Sequence, residues 1–254
     1  MVLEETLEKL KSMRLHGMRA AFEHQLEQPE TASLSFEDRF GLLVDQEWTF
    51  RENRKLDYRL RNAKLKIKDA SVEQIDYRIP RNLNKSLILS LANSDWVAKR
   101  QNVIITGPTG SGKSFLACAL AQKACRDGYT ALYSRVSMLF YDLSLSRADG
   151  SYGKLLQKLA KVRVLVVDDW GLAPLEEMER RDFLEILEDR HNSSSTIMSS
   201  QLPIKKWHDT IGDPTLADAI CDRIVHNAHK ITLKGESVRK IKSTLDENGP
   251  SVRS

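Results

Sequence analysis

The sequence predicts an α/β fold in which a parallel five-stranded sheet is flanked by helices and preceded by a small all-helical domain. Two observations predict it. From Val103 onward, short apolar segments alternate with helical patterns, an order that is typical of parallel sheets covered on both faces. Before about residue 75, apolar residues recur at steps of three and four, which indicates amphipathic helices. We therefore expect a helical domain over residues 1–75 and an α/β domain over residues 76–254.

The N-terminal region is expected to form helices on both sides of a break. Leucines recur at helical spacing from Leu3 to Leu10, and Pro29 interrupts the pattern. A new helix is expected at Ser35, because its hydroxyl can cap the first free amides and Asp38 suits the positive helix end. A junction with a further helix over residues 83–96 then leads to the sheet.

Five short apolar segments are expected to form the strands. They cover residues 103–106, 130–133, 162–167, 196–199 and 231–233. No apolar run approaches the length of a membrane span, and the N-terminus lacks the apolar core of a signal peptide. The three cysteines have no metal-like spacing, so we expect reduced thiols and a cytoplasmic protein without a membrane contact.

Positive charge is concentrated in one part of the chain. The net charge is only +4, but eight Lys and Arg residues lie between Arg51 and Lys68 against two acidic residues. Such a cluster is typical of proteins that bind an acidic polymer. A solvated helix face explains it equally well.

A glycine-rich loop follows the first predicted strand and fits the pattern G-x-x-x-x-G-K-[ST] at every position. Its glycines let successive backbone N–H groups point at a phosphate, and the following helix adds its positive end. Lys113 is expected to reach the β- and γ-phosphates, and the Ser114 hydroxyl is expected to bind Mg²⁺. The sequence therefore predicts a site for ATP and Mg²⁺. Its residues are Gly107, Pro108, Thr109, Gly110, Ser111, Gly112, Lys113 and Ser114.

Two carboxylates end the third predicted strand, at the sheet edge where α/β proteins bind ligands. Asp168 is expected to hold the Mg²⁺ through water. Asp169 lies where a second acid could orient and polarise the attacking water. Together with the glycine-rich loop, this pair predicts an ATPase.

The order of these motifs resembles a known family. The glycine-rich loop is followed by V-L-V-V-D-D-W-G, T-I-M-S-S-Q-L-P and L-A-D-A-I-C-D-R-I. This order is similar to that of AAA+ ATPases of the helicase-loader branch, in particular the IstB-like transposition helpers. The segments L-H-G-M-R-A-A-F and 79–96 also resemble that family, so the likeness covers nearly the whole chain.

The resemblance implies further site residues. Ser200 falls at a position where AAA+ proteins often carry a polar residue that senses the γ-phosphate. Ser199 is adjacent to it. Arg223 falls at the position of an arginine that reaches into the neighbouring subunit's site, although an ion pair with Asp222 or Asp218 is the alternative. Arg239 looks like a second nucleotide-sensing arginine. It follows the last strand so closely that the helical lid of typical AAA+ proteins is expected to be reduced or absent.

The resemblance also implies binding of double-stranded DNA, a homo-oligomer in the form of a ring or helix, and a cognate transposase as the partner of the N-terminal domain. Candidate DNA contacts lie between the second and third strands, where an ordinary sheet-covering helix is the alternative, and in the N-terminal basic cluster. They are Arg147, Lys154, Lys158, Arg54, Lys55 and Arg59.

Two other functions share the nucleotide motifs. A replicative-helicase loader would differ only in its client protein. A small-molecule P-loop kinase would need an acceptor pocket and an Arg-rich lid, and its activity would depend neither on DNA nor on protein concentration. The leading hypothesis is an ATP-dependent, DNA-binding regulator that oligomerises and assists a transposase.

Overall fold

The computed structural model describes residues 2–235 and Val238. Their contacts divide the chain into two compact units, one running to Tyr58 and one starting at Arg59. The helices are α1 (Val2–Ser12), α2 (His16–Glu27), α3 (Phe36–Ala63), α4 (Lys85–Leu91), α5 (Asp95–Ala98), α6 (Lys113–Arg126), α7 (Val136–Ala148), α8 (Tyr152–Lys161), α9 (Glu177–Arg190), α10 (Trp207–Ile211) and α11 (Pro214–Val225). The strands are β1 (Asn102–Thr106), β2 (Ala131–Arg135), β3 (Val164–Trp170), β4 (Ser195–Ser200) and β5 (Ala228–Thr232).

The first unit consists of α1, α2 and most of α3. Gly17, in the first turn of α2, lies so close to α3 that a β-carbon there would be 2.6 Å from the carbonyl oxygen of Gln46. The buried carboxylate of Glu47 accepts hydrogen bonds from the backbone N–H groups of Gly17 (2.8 Å) and Met18 (3.1 Å). Glu47 therefore satisfies free amides at the positive end of α2, at the point where the two helices touch.

The second unit is built on one parallel sheet with the strand order β2-β3-β4-β1-β5. All residues of β1 and β4 are buried, as expected for central strands covered by helices on both faces. Because the strands are parallel, their carboxyl ends meet at one edge. Strand β4 lies between β1 and β3, so the loop after β1 and the acids of β3 face each other across the end of β4.

The opposite, amino edge of the sheet is held by a buried arginine. Arg190 ends α9, and its guanidinium donates to the Thr196 hydroxyl and to the carbonyl oxygens of Leu159, Val162 and Ser195. Burial lowers the pKa of Arg190, and its hydrogen bonds go to these neutral oxygens. One side chain thus joins the end of α8 to the start of β4.

The predicted fold class is confirmed, with differences at the ends of elements. Strand β3 continues to Trp170 instead of ending at 167, because an extra residue is accommodated in a bulge. Strand β5 starts at Ala228, earlier than predicted. It is an edge strand whose first half is polar, so the apolar pattern does not show where it begins. The helix expected over 83–96 is two helices separated near Ser94, whose backbone is left-handed with φ 57°.

The N-terminal helices are also confirmed, with the predicted break at Pro29. The Ser35 hydroxyl accepts from the backbone N–H of Asp38 (3.1 Å), as expected for a helix start. Helix α3 ends at Ala63, before the expected limit near residue 75, and the placement of a domain boundary at 75 stays a prediction. Within the described residues, no helix is both long and apolar enough to span a bilayer, and the three cysteines are free thiols.

Candidate nucleotide-binding site

The glycine-rich loop lies between the end of β1 and the start of α6, as the motif predicts. Gly107, Gly110 and Gly112 have φ angles of 154°, 80° and 94°, in the region that favours glycine. A β-carbon on Gly107 would be 2.8 Å from the carbonyl oxygen of Leu233, so the loop also needs glycine for space. The Lys113 ammonium donates to the carbonyl oxygen of the loop residue Pro108 (2.9 Å).

A buried carboxylate faces this loop. The Asp168 Oδ2 atom accepts hydrogen bonds from the hydroxyls of Ser114 (2.7 Å) and Tyr133 (2.6 Å), and Oδ1 accepts from Ser199. The Lys66 ammonium lies 3.6 Å from Oδ2. Burial alone would raise the pKa of Asp168, but these hydroxyls and the Lys66 charge outweigh it and keep the pKa below its ordinary value. The carboxylate is therefore ionised at neutral pH.

The oxygen atoms around Asp168 fit a divalent cation. Mg²⁺ prefers carboxylate, hydroxyl and water oxygens, and the Ser114 hydroxyl and Asp168 carboxylate are already in contact at the mouth of the loop. Lys113 lies beside them, and burial lowers its pKa more than Asp168 and Asp169 raise it. These residues are the ones that would hold the cation and the phosphates.

The second acid, Asp169, lies in a bulge of β3. Val167 pairs with Met198, but Trp170 pairs with Ser200, so three steps on β3 match two on β4. Asp169 takes up the extra step with a left-handed backbone, φ 63°. In a regular strand the side chains of residues 168 and 169 would point to opposite faces; here Asp168 bonds to Ser114 and Asp169 lines a cavity that Ser114 also lines.

A cavity of about 370 Å³ surrounds the loop. The segment between α3 and α4 forms one wall, the glycine-rich loop and the first residues of α6 form the floor, and the ends of β3 and β4 complete it. Its lining residues are Lys66, Ile67, Gln74, Asp76, Ile79, Arg81, Thr109, Gly110, Gly112, Lys113, Ser114, Phe115, Asp169, Gln201 and Val238.

Ser200 does not point into this cavity. Its hydroxyl is buried, donates to the carbonyl oxygen of Trp170 (2.8 Å) and accepts from the backbone N–H of Leu202 (3.0 Å). The next residue, Gln201, lines the cavity and accepts a hydrogen bond from the Thr109 hydroxyl of the loop (2.8 Å). The structure thus places Gln201 beside the loop and Ser199 beside Asp168, while the phosphate-sensing role expected for Ser200 stays a prediction.

Arg223 lies toward the other edge of the sheet. Its carbonyl oxygen accepts from the Asn102 side chain at the start of β1, whereas the glycine-rich loop follows the end of β1. The guanidinium pairs with Glu188 (2.8 Å), and not with Asp222 or Asp218 as the alternative expected. Arg223 is therefore paired within its own chain, and it does not line the cavity at the glycine-rich loop.

Arg239 lies outside the described residues. Its neighbour Val238 donates a backbone hydrogen bond to the carbonyl oxygen of Gly110 (2.9 Å). Val238 is therefore in contact with the glycine-rich loop.

The candidate DNA contacts between β2 and β3 differ in their surroundings. Lys154 and Lys158 are exposed on α8, while Leu156 and Leu159 of the same helix are buried, so the basic and apolar sides face opposite ways. The Arg147 guanidinium is already paired with Asp182 and lies 3.8 Å from the centre of the Tyr152 ring.

The candidates of the N-terminal cluster have partners on the protein as well. Lys55 pairs with Glu52 (2.7 Å), and the Arg54 guanidinium lies over the Phe50 ring. Arg59 donates to the carbonyl oxygen of Cys125 on α6 (2.8 Å). All six DNA contacts stay predictions.

The sequence of the chain matches the family described as IstB-like ATP binding protein over residues 8–245. The chain belongs to this family. The predicted resemblance is thereby confirmed, and with it ATP binding as the property that the family shares.

Relatives in bacterial insertion sequences agree with this membership. An insertion sequence ATP-binding protein of Sinorhizobium fredii is 50% identical over 240 residues, which cover 94% of this chain and 98% of the relative. The ATP-binding protein of insertion sequence IS21 from Pseudomonas aeruginosa is 32% identical over 231 residues, covering 91% of this chain and 86% of the relative.

Solved structures agree with the AAA+ fold. The replication initiator DnaA bound to AMPPCP and single-stranded DNA matches with a TM-score of 0.58 and 19% identity, over 75% of this chain but only 58% of the initiator chain. The structure of DnaI matches with a TM-score of 0.55 and 24% identity, over 65% of this chain and 91% of DnaI. At these identities the likeness shows the fold.

Proposed function

We propose that the protein is an ATPase that binds duplex DNA, assembles into an oligomer with shared active sites and assists the transposase of its insertion sequence. The observation that carries the proposal is the 2.7 Å contact between Ser114 and Asp168 beside a complete phosphate loop. It occurs in a chain whose relatives are ATP-binding proteins of insertion sequences.

Each residue of the site has a role in hydrolysis under this proposal. Mg²⁺, held by Ser114 and Asp168, supplies positive charge that neutralises the phosphate oxygens. Lys113 binds the same phosphates through its ammonium group. Asp169, which lines the cavity, accepts a hydrogen bond from the attacking water and orients it.

The position of Arg223 supports shared sites. Since its guanidinium lies away from the loop of its own chain, it completes a site only in a neighbouring subunit. Such an arginine stabilises charge that develops on the transferred phosphoryl group. Nucleotide bound between subunits then stabilises the oligomer, and hydrolysis releases it.

The deciding experiment measures ATP turnover against protein concentration, with and without duplex DNA. We expect turnover to rise cooperatively with protein and to increase with DNA, and Arg223→Ala to lower it by roughly 10³-fold or more. The matched control is Glu188→Ala, which breaks the same ion pair and keeps the guanidinium. Turnover that is flat in concentration, indifferent to DNA and equal in both variants would overturn the shared-site proposal and favour a self-contained P-loop enzyme.

DNA binding is tested separately on α8. Replacing both Lys154 and Lys158 by Ala should weaken duplex binding, while ATP binding stays unchanged. The salt dependence of duplex binding should fall by the amount expected for the loss of up to about two phosphate contacts. Lys9→Ala with Lys11→Ala in α1 removes the same charge and serves as the control. Equal DNA affinity of the two double variants would remove α8 from the proposal.

The proposed binding surface for the transposase is an apolar stripe on α3. Four side chains at steps of four are exposed along this helix: Phe36, Phe40, Val44 and Trp48. We expect Trp48→Ala to reduce retention of the transposase encoded beside the gene, and Leu89→Ala, an exposed leucine of α4, to leave it unchanged. Capture of the replicative helicase in place of the transposase would favour a helicase loader.

A further inference from the structure

A second buried cation lies against the phosphate loop. Arg81 belongs to the segment between α3 and α4, and only 4% of its surface is exposed. Its guanidinium donates to the carbonyl oxygen of Ser111 in the loop (3.2 Å) and to that of Asp76 (3.3 Å). Its own carbonyl oxygen accepts from the backbone N–H of Lys234, just after β5 (3.0 Å). Arg81 thus connects the loop, the wall of the cavity and the end of the sheet.

The charge of Arg81 has no carboxylate bonded to it among the described residues. Both oxygens of the nearby Asp76 carboxylate accept from Arg78, at 3.0 Å each, and Arg81 bonds only to carbonyl oxygens. Burial lowers the pKa of Arg81 more than Asp76 and Tyr77 raise it. A buried cation without an anionic partner is costly, so its retention in a ligand cavity points to an anion that binds there.

Two polar atoms of this contact have no partner. The Arg81 Nε atom is buried without an acceptor, and so is the Ser111 hydroxyl, which is fully buried in the loop. Native proteins leave few such groups, so both atoms are free to bond to a water or an ion. The first atom belongs to a residue that packs against the loop, and the second belongs to the loop itself.

The Arg81 guanidinium also lies directly against Gly112, whose φ of 94° itself requires glycine. A β-carbon on Gly112 would lie 2.5 Å from the Arg81 Nη1 atom. The guanidinium occupies the space that a side chain would take, directly before the first residue of α6. It therefore lies close to the backbone that cradles the phosphates.

We propose that Arg81 binds the phosphate groups of the nucleotide, as a second cation beside Lys113, and that it holds the Ser111 turn of the loop in shape. This inference rests on the proposed nucleotide site. The chemistry that fits is a phosphate oxygen, which accepts from guanidinium more strongly than a carbonyl does and supplies the missing negative charge.

The test measures the affinity of a fluorescent N-methylanthraniloyl-ADP, with inorganic tripolyphosphate as a competitor. Arg81→Gln keeps neutral donors for the two carbonyls and removes the charge, and Arg81→Lys keeps the charge. We expect Arg81→Gln to weaken both the ADP analogue and tripolyphosphate by roughly tenfold or more, and Arg81→Lys to recover part of the loss. Arg78→Gln, in the same segment with its side chain 92% exposed, should bind as the wild type does.

A purely structural brace would behave differently. In that case Arg81→Gln and Arg81→Lys would shift the unfolding midpoint without nucleotide, but folded protein would bind tripolyphosphate with wild-type affinity, and the proposal would be overturned. If Arg81→Gln does not fold, Arg81→Met takes its place, because wild-type affinity for tripolyphosphate in a folded variant without the charge would also overturn the proposal. Failure of the wild type itself to bind the ADP analogue would instead remove the nucleotide site.

Discussion

At the scale of single residues, Asp169 is the clearest test of hydrolysis. Its left-handed backbone costs most residues about 1–2 kcal/mol, but Asp and Asn tolerate it. Asp169→Asn therefore removes the charge and keeps the backbone. We expect ATP turnover to fall by roughly 10²-fold or more, since water is no longer polarised, while stability stays close to that of the wild type. Turnover assays and urea unfolding measure the two effects.

Asp169→Ala is the matched comparison. It removes the carboxylate and also places an unsuited residue at φ 63°. It should lose turnover to the same extent and lose about 1 kcal/mol of unfolding free energy in addition. Wild-type turnover of the Asn variant would contradict the role of Asp169.

Lys66 is expected to oppose the metal ion. Its ammonium lies 3.6 Å from the same Asp168 oxygen that accepts from Ser114 and Tyr133, so a cation bound there meets a like charge. Lys66→Met should lower the Mg²⁺ concentration at which binding of the ADP analogue reaches half its maximum, by roughly twofold to tenfold. Lys68→Met, two residues further on and exposed, should leave it unchanged. A rise in the Mg²⁺ requirement of the Lys66 variant would show that Lys66 assists instead.

The sequence predicts the centre of the site better than its surroundings. Ser114 and Asp168 meet as expected, because fixed motifs at the ends of neighbouring elements imply their contact. Lys66 and Arg81 were not predicted, since they come from a segment without periodicity whose path over the loop has no local signal. Ser200 was predicted to sense the phosphate, whereas Ser199 contacts Asp168 and Gln201 lines the cavity, because the sequence does not show which way the end of β4 faces.

At the scale of elements, Arg190 is expected to hold the amino edge of the sheet. Arg190→Met leaves buried carbonyl oxygens of α8 and β4 without donors, so we expect a loss of about 3 kcal/mol or more in unfolding free energy. Urea unfolding measures the loss. Because the candidate nucleotide-binding site lies at the opposite edge of the sheet, the folded variant should still bind nucleotide.

The control is Arg163→Met at the same edge. Arg163 is partly exposed and donates one side-chain hydrogen bond to the Ser193 carbonyl oxygen (3.0 Å). It should cost about 1 kcal/mol or less. Equal losses in the two variants would mean that the four bonds of Arg190 add no stability beyond a single one.

The stability of the contact between α2 and α3 should depend on pH. Burial alone would raise the pKa of Glu47, but hydrogen bonds from Arg51, Met18 and Gly17 outweigh it and hold the pKa below its ordinary value of 4.5. The stabilisation is therefore fully present above 4.5 and is lost as the pH falls through the lower, folded-state pKa. Urea unfolding of the first unit between about pH 7 and pH 3 should show this loss in the wild type and less of it in Glu47→Gln.

Glu52→Gln is the control for this pH dependence. Glu52 lies on the same helix, is partly exposed and pairs with the exposed Lys55. Its removal should leave the acid-induced loss of stability in place, because exposed ion pairs contribute little. An unaltered pH profile in Glu47→Gln would contradict the capping role of Glu47.

Periodicity predicts elements where the burial pattern is strong and fails where it is weak. Strands β1 and β4 are buried throughout, and their predicted limits differ from the observed ones by a residue or two. Strand β5 lies at an edge, so its polar first half carries no apolar signal. The left-handed Ser94 that divides α4 from α5 has no residue-type signature, since a serine is not the usual choice for that backbone.

At the scale of the whole molecule, the fold class followed from the alternation of strands and helices, but the strand order did not. Nothing local indicates that β4 is inserted between β1 and β3. This order brings Asp168 to the loop across one intervening strand, and it turns Arg223 away from that loop. The proposed sharing of active-site residues between subunits therefore rests on topology, which the sequence pattern alone does not contain.

Because β1 lies inside the sheet, the time at which it finds its partners depends on the order in which the chain is synthesised. Ile104 pairs with Met198 on one side and with Lys230 on the other, so both neighbours of β1 leave the ribosome long after it. Until then its backbone groups have no partner strand, and contacts so distant in sequence form late in folding. A chain truncated before Ala228 would contain every residue of the phosphate loop, yet its first strand would be left with an open edge. Loss of nucleotide binding in such a product would reflect the open edge of β1 as well as the removal of Val238 from the cavity wall.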